Sequence, residues 1–403
     1  MQAKSRNTKK KESPKTAQQD GILVDVFISH SRKDIKIARK FYELLTSEGF
    51  AVWFDEKIYG GTSWEDMLMS HLLAAKCVLV LWTGNSAGSE WVKKEAAVAQ
   101  ALKRLVPVTL DNTGIPEAWQ TLQNVMLDNW KPEEPHPKLE QLLTGISKLA
   151  PPSRVDNVRP GFVSDALGVE VEMPSITGVG DEFRYLHFSV VMNPARRLPW
   201  YVAANLQPYN KEVERGDKWM PDPLLPASFQ PGNEHYRNTD YDRGHIISPR
   251  SVAWGDLRQA QLANRQSFFW TNTAPQLAQM NQGWWLKIEE WERAITEQYG
   301  NAISFGGPVL KADDPALGET EQLIGRIKVK QNFLVPQSFW KVVLVFDSEL
   351  AIACFLLNQV ALLKSNAAAD LSIKTHIVSL KEIEKATGLG FSLTMHQAKS
   401  IKH

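Results

Sequence analysis

The sequence predicts two folded units of different class. The first is an α/β unit built on a parallel sheet with helices on both faces, and the second is a strand-rich α+β unit. Three observations predict this. Between Gly21 and Leu149 short apolar runs alternate with segments of helical period. Prolines then cluster at Pro132, Pro135, Pro137, Pro151, Pro152 and Pro160, with charges between them. Beyond the prolines apolar runs follow one another as neighbouring pairs, beginning with Phe183–Val191 and Pro199–Leu206. At 403 residues the chain is long enough for two or three domains.

In the first unit, Ile22–Ser29, Ala51–Phe54, Val78–Trp82 and Val106–Leu110 are the expected strands. Ile35–Ser47, Ser63–Ala75 and Glu90–Lys103 are the helices between them, and Leu139–Leu149 closes the unit. Strands that are apolar throughout, separated by helices, are buried on both faces of a parallel sheet. Ligands of such folds bind beyond the carboxyl ends of the strands. The expected division is a disordered basic tail over 1–20, the α/β unit over 21–149, a linker over 150–160 stiffened by its prolines, and the α+β unit over 161–403. In the last unit a hairpin from 183 to 206 leads through irregular, proline-rich chain to a histidine-bearing turn at Asp242, and then to a helix headed by Asn281. Trp284, Ile288, Trp291 and Ile295 recur at helical spacing and form its core face. Asn301–Val309, Val329–Val335, Trp340–Phe346 and Ala351–Leu357 continue the sheet.

Net charge is +1, so attraction to nucleic acid must be local rather than global. The cysteines, Cys77 and Cys354, both sit in apolar runs and read as buried thiols. They point to a reducing, cytoplasmic compartment. No apolar core follows the first basic residues, which argues against a secretory leader, and no run is apolar enough to span a membrane.

The strand ends of the first unit carry Asp25-Val26-Phe27-Ile28-Ser29-His30, Val52-Trp53-Phe54-Asp55, a Gly-x-Ser-Trp loop from Gly61 to Trp64, and Ser89-x-Trp91-Val92-x-x-Glu95. As a set these resemble a TIR domain over residues 22 to about 146, which implies a flavodoxin-like fold. The resemblance implies a site of Ser29, Trp64, Ser89, Trp91 and Glu95 for NAD or a nucleotide-derived signal, and homo-oligomer assembly through this domain. The glutamate matching Glu95 cleaves NAD in some TIR domains, where its charge steadies the cation left on ribose. In others the domain only binds or assembles. The structural reading is that Trp91 packs in the core and Glu95 stays exposed beside Lys93 and Lys94.

The second unit carries Asp242-Arg243-Gly244-His245, then Thr271-Asn272-Thr273-Ala274-Pro275-Gln276, then Asn281-Gln282-Gly283-Trp284-Trp285 running on to Glu289. Singly, each has a plain structural reading: a turn, a helix N-cap at Asn281, an exposed helical Glu289. Together they suit phosphodiester hydrolysis with one metal ion. Neutral imidazole is the base of choice near pH 7, and His245 is the candidate. The amide oxygen of Asn281 is the candidate ligand for Mg2+, or Mn2+, which keeps most of its waters. Glu289, eight residues on, reaches the metal through water. In order, the three motifs resemble the DNA/RNA non-specific endonucleases, the family that includes endonuclease G, over roughly residues 165 to 395. That implies an α+β domain of the ββα-metal kind acting on double-stranded DNA, with RNA as a second substrate. An upstream arginine of the family contacts phosphate. Spacing here is shifted, so Arg215 is the first choice, with Lys218 and Arg237 open. Arg243 lies beside the histidine or is held in an ion pair, and Asp242 orients the histidine turn.

The combined expectation is a metal-dependent endonuclease gated by a TIR domain, resembling bacterial antiphage defence effectors. The alternatives are a TIR domain that is itself a toxin depleting NAD, and a TIR domain that serves only as a homotypic module.

Overall fold

The computed structural model describes residues 23–55, 62–127, 130, 137–178, 180–216, 218–225, 227–324, 327–364 and 373–401. The basic tail at 1–20 and the Gly60–Gly61 turn lie outside the described residues. The first unit is a five-stranded parallel sheet, β1 (Val26–Ser29), β2 (Val52–Phe54), β3 (Cys77–Trp82), β4 (Leu105–Thr109) and β5 (Val125–Met126), in the order β2-β1-β3-β4-β5. The expected strands and helices all appear within a few residues. The two-residue β5 was not anticipated, being too short to leave a pattern. Alternation sends Val26, Ile28, Leu79 and Leu81 into one core with Phe41, Leu45 and Ile146. Phe27, Val78, Val80 and Trp82 go to the other face with Leu68, Leu72 and Ala96. Burial on both faces is why these strands read as continuous apolar runs.

The second unit holds a mixed sheet in the order β16-β15-β14-β11-β8-β7-β6, with β17 beside β15. Its strands are β6 (Asp181–Arg184), β7 (Phe188–Asn193), β8 (Leu198–Leu206), β11 (Ala302–Val309), β14 (Ser338–Asp347), β15 (Glu349–Asn358), β16 (Ile377–Val378) and β17 (Lys399–Ser400). The single strand expected over 183–191 is broken, because His187 adopts a φ of 73° and turns the chain between β6 and β7. A separate ribbon pairs β9 (Tyr241–His245) with β10 (Thr273–Leu277) antiparallel. The Asp-Arg-Gly-His segment is therefore a strand, not a turn. β12 (Ala316–Ile324) and β13 (Ile327–Leu334) form their own hairpin, so the run expected over 329–335 does not extend the main sheet.

The helix Leu286–Tyr299 packs on one face of the main sheet. Ile246, Ala274, Trp285 and Ile288 meet Val190, Val202, Phe339 and Val343 there. Tyr201, Phe305, Trp340 and Val342 fill the opposite face with Ile383 and Leu389.

Between the units the chain is docked rather than merely stiff. Asp25 Oδ2 accepts from Ser153 N at 2.8 Å and Ser153 Oγ at 2.6 Å. Gly49 O accepts from Arg154 N at 2.8 Å. Gly49 has a φ of +86°, and a Cβ there would sit 2.7 Å from Val155 Cα, so only glycine allows this approach.

Candidate active site

His245 ends the ribbon strand β9, buried at 7 % exposure. Its backbone carbonyl accepts from Trp285 Nε1 at 2.9 Å, which ties the ribbon to the start of the helix. Gly244 faces Ala274 across the ribbon, and a Cβ at Gly244 would lie 2.1 Å from Gln276 Oε1. Gln276 is fully buried and has no room to yield, so the glycine before the histidine is required by packing. The two ring neighbours of His245 are Trp219, at 4.1 Å between centroids, and Phe268, at 4.7 Å. Burial pushes the imidazole pKa well below its ordinary value, and the positive charge of Arg215 adds to the push. His245 is therefore neutral near pH 7, the state a proton acceptor needs. Its Nε2 is buried without a hydrogen-bond partner.

Asn281 does not cap a helix. It lies inside a π-helical turn, Met280–Trp285, that runs into the α-helix Leu286–Tyr299. Such turns widen the helix locally and re-aim the side chains they carry. Asn281 Nδ2 donates to Asp242 Oδ2 at 3.0 Å, and Gln282 Nε2 donates to the same oxygen at 2.8 Å. A carboxylate only accepts, so the amide nitrogen must face it and the amide oxygen points away. Asp242 thus orients Asn281 and Gln282, whereas the sequence suggested that it orients the histidine.

Glu289 is buried, at 8 % exposure, rather than exposed on its helix. Burial raises its pKa to about 7, against the pull of Lys341. Arg215 is exposed, and its positive charge lowers the pKa of His245 and opposes the rise at Glu289. Arg243 is exposed and donates to Asn233 Oδ1 at 3.4 Å. Among the described residues this amide is its hydrogen-bond partner, and no ion pair holds it.

A polar cavity of about 470 Å³ opens beside Asp242 and Asn281, and His245, Glu289 and Arg215 do not line it. Trp219, Tyr236, Arg237, Asp242, Arg243 and Asn281 line it. Sequence reasoning had left Arg237 as a third option and gave no role to Trp219, Tyr236 or Gln282. Trp219 and Tyr236 arrive from the irregular stretch before the ribbon, where no local pattern marks them, while Gln282 stands in the Asn281-Gln282-Gly283-Trp284-Trp285 motif itself. Among the described residues no three His, Cys, Asp or Glu side chains gather as a metal cluster. The donor set at Asn281 fits a hard, hydrated cation: one amide oxygen held by a carboxylate, opening on a polar cavity.

In the first unit Glu95 is buried at 4 % exposure, not free beside the lysines. Ser29 Oγ donates to Glu95 Oε2 at 2.5 Å. Burial raises the Glu95 pKa to about 7, and the Ser29 hydrogen bond works against that rise. Trp64 and Trp91 lie with ring centroids 5.3 Å apart. With Ser89, Glu95, Trp53 and His30 they line a cavity of about 390 Å³ beyond the strand ends. Arg32, Lys33 and Asp55 also line it and were not singled out from the sequence.

Comparison with known proteins gives two family matches: DNA/RNA non-specific endonuclease over residues 171–398, and TIR domain over residues 26–143. An uncharacterized protein of Sinorhizobium fredii, y4fB, is 34% identical over 223 residues, covering 49% of this chain and 32% of its own. The mitochondrial nuclease EXOG of Xenopus laevis is 28% identical, with 55% and 62% covered. Mitochondrial endonuclease G of Homo sapiens is 27% identical, with 49% and 65% covered. The chain thus spans a third of the first relative and less than two thirds of the other two.

Proposed function

We propose that this chain, which belongs to the DNA/RNA non-specific endonuclease family and carries a TIR domain, is a metal-dependent endonuclease that cuts DNA, and RNA as well, under control of that TIR domain. The observation that carries the reading is the hydrogen bond from Asn281 to Asp242, which ties the metal-facing amide to the strand that ends in His245. A divalent ion held at the Asn281 oxygen would neutralise charge on the phosphate and the leaving oxygen. Mg2+ is the expected ion, with Mn2+ in its place. Neutral His245 takes the proton from the attacking water, and its buried setting keeps it unprotonated at neutral pH. Glu289 would act on the water shell of such an ion rather than ligate it. Arg215, Arg237 and Arg243 offer cationic groups for phosphate oxygens near the cavity.

The TIR cavity supports the gating half of the reading. Aromatic walls and a buried carboxyl group suit a nucleotide-derived signal, and assembly of several copies through this domain would bring nuclease units together. Antiphage defence fits an enzyme that must be silent until needed. The second reading, an NAD hydrolase, is favoured by the same Glu95 placement. Among the described residues no helix is long and apolar enough to cross a membrane.

The test incubates purified full-length protein with plasmid and Mg2+, with and without nucleotides including NAD, and follows both DNA and nicotinamide. Wild type should nick and linearise the plasmid, and His245→Ala should not, with folding and metal affinity kept. Equal cutting by the His245→Ala protein would sink the mechanism.

A further inference from the structure

A single TIR carboxylate reaches two structural elements that cover His245. Glu48 follows the helix Ile35–Ser47 and is 1 % exposed. Its Oε2 accepts from Arg159 Nη2 at 3.2 Å, and its Oε1 forms an ion pair with Arg265 Nη2 at 2.5 Å. Arg159 also grips Asp222 with both terminal guanidinium nitrogens, at 2.6 and 3.0 Å. Asp222 lies three residues beyond Trp219 and is fixed in turn by Gln230, which accepts from Asp222 N at 2.8 Å and donates to Asp222 O at 3.0 Å. Arg265 lies three residues before Phe268, whose ring touches both Trp219 and His245. Met220 N donates to Phe268 O at 3.1 Å, joining the two arms beside the indole.

The indole is the cover. Trp219 lies on the His245 ring and lines the cavity, while His245 itself is absent from the cavity wall and its Nε2 meets no solvent. Trp219 and Phe268 are the rings packed against the imidazole, and Nε2 is its nitrogen without solvent. At its other end the helix Ile35–Ser47 starts directly after Arg32 and Lys33, which line the TIR cavity. A helix of 13 residues is a rod of about 20 Å. One helix thus runs from beside Arg32 and Lys33 to Glu48.

We propose that Glu48, through Arg159 with Asp222 and through Arg265 with Phe268, latches Trp219 over His245, so that the described state is the closed nuclease and the TIR domain opens it by withdrawing Glu48. This rests on the nuclease reading for its consequence but not for its geometry, and the test separates the two. Full-length protein without added ligand is treated with diethyl pyrocarbonate, and modification of His245 is followed by peptide mass spectrometry. Plasmid cleavage in Mg2+ is run in parallel. Glu48→Gln and Arg265→Gln should each raise His245 modification and ligand-free cleavage by on the order of tenfold, as expected for losing one arm of a partly buried ion cluster. Trp219→Ala should raise modification similarly, and adding Glu48→Gln to it should add nothing, because both act on one cover. Wild-type modification rates in folded Glu48→Gln and Arg265→Gln overturn the latch. Should Glu48→Gln fail to fold, Arg265→Gln, which leaves the Glu48–Arg159 pair in place, decides alone. Faster modification with no cleavage by any variant keeps the latch and overturns the phosphodiesterase reading instead.

Discussion

Asn281 and Asp242 are joined across the ribbon-to-helix junction, Asn281 Nδ2 donating to Asp242 Oδ2 at 3.0 Å. The bond decides which end of the amide meets a cation. With Asp242→Asn the acceptor becomes a group that also donates, and the Asn281 amide is free to flip. Half-saturating Mg2+ for plasmid cleavage should then rise about tenfold or more, as for other residues that orient metal ligands, with the rate at saturating Mg2+ largely kept. An unchanged metal titration would remove Asp242 from this role.

Asn281→Ala goes further, deleting the oxygen itself. Cleavage should need much more Mg2+, and EDTA should stop the wild type until Mg2+ or Mn2+ is returned. Metal-stripped protein that works only with Zn2+ would contradict a site built from one amide and several waters.

Much of this arrangement was legible because its chemistry is carried by residue types at fixed spacing. His245 comes from the first of three motifs in sequence order and Asn281 and Glu289 from the third, and the parallel sheet announces itself through strands apolar on both faces. Other features left no trace. The π-turn at Met280–Trp285 is a local widening that alters neither composition nor period enough to detect, so Asn281 read as the head of an ordinary helix. That Asp242 meets Asn281 and Gln282 also left no trace, because which neighbour a strand residue meets depends on tertiary packing. Glu48 reads as a solvated charge at a helix end, and only the docking of two distant arginines buries it. Trp219 is one aromatic in an irregular stretch, and nothing local says that it covers a histidine.

Glu289 makes stability depend on pH. Its folded pKa of about 7 lies above the ordinary 4.5, so the protonated form is favoured by folding. The contribution is fully present below about pH 4.5 and is lost as pH rises through about 7. The shift corresponds to about 3 kcal/mol. In EDTA, Glu289→Gln should therefore melt higher than wild type at pH 8, with the gap closing toward pH 5. A gap that does not depend on pH would mean the carboxyl is not desolvated.

Beneath Glu289 a buried ion pair holds the helix to the sheet. Lys341 sits on the face of β14 shared with Phe339 and Val343, and its Nζ lies 3.3 Å from Glu292 Oε1, both side chains fully buried. Glu292 also accepts from Ser251 Oγ at 3.0 Å and from Ser304 Oγ. Lys341→Met strands the carboxylate and should cost about 3–5 kcal/mol in denaturant unfolding. Lys341→Met with Glu292→Gln should recover much of it, since the uncharged amide can accept from one serine hydroxyl and donate to the other. A loss below about 1 kcal/mol for the single variant would show that water reaches the pair.

Glu95 separates the two readings of the TIR domain. Its carboxyl group receives the Ser29 hydroxyl at the edge of a cavity walled by Trp64 and Trp91. Glutamine there is nearly isosteric, so it keeps the cavity's shape and leaves a carbonyl for Ser29. It cannot stabilise a cation on ribose, because it carries no charge. If the domain is a gate, Glu95→Gln ends any release of nicotinamide but leaves a nuclease that still responds to the signal, since binding and assembly do not need the charge. His245→Ala then abolishes toxicity in cells. If the domain is the toxin, the pattern reverses: cells survive Glu95→Gln and die with His245→Ala. Scoring survival for both variants, with nicotinamide and DNA integrity measured in the same cultures, distinguishes them. The reversed pattern would displace the gated nuclease in favour of NAD depletion.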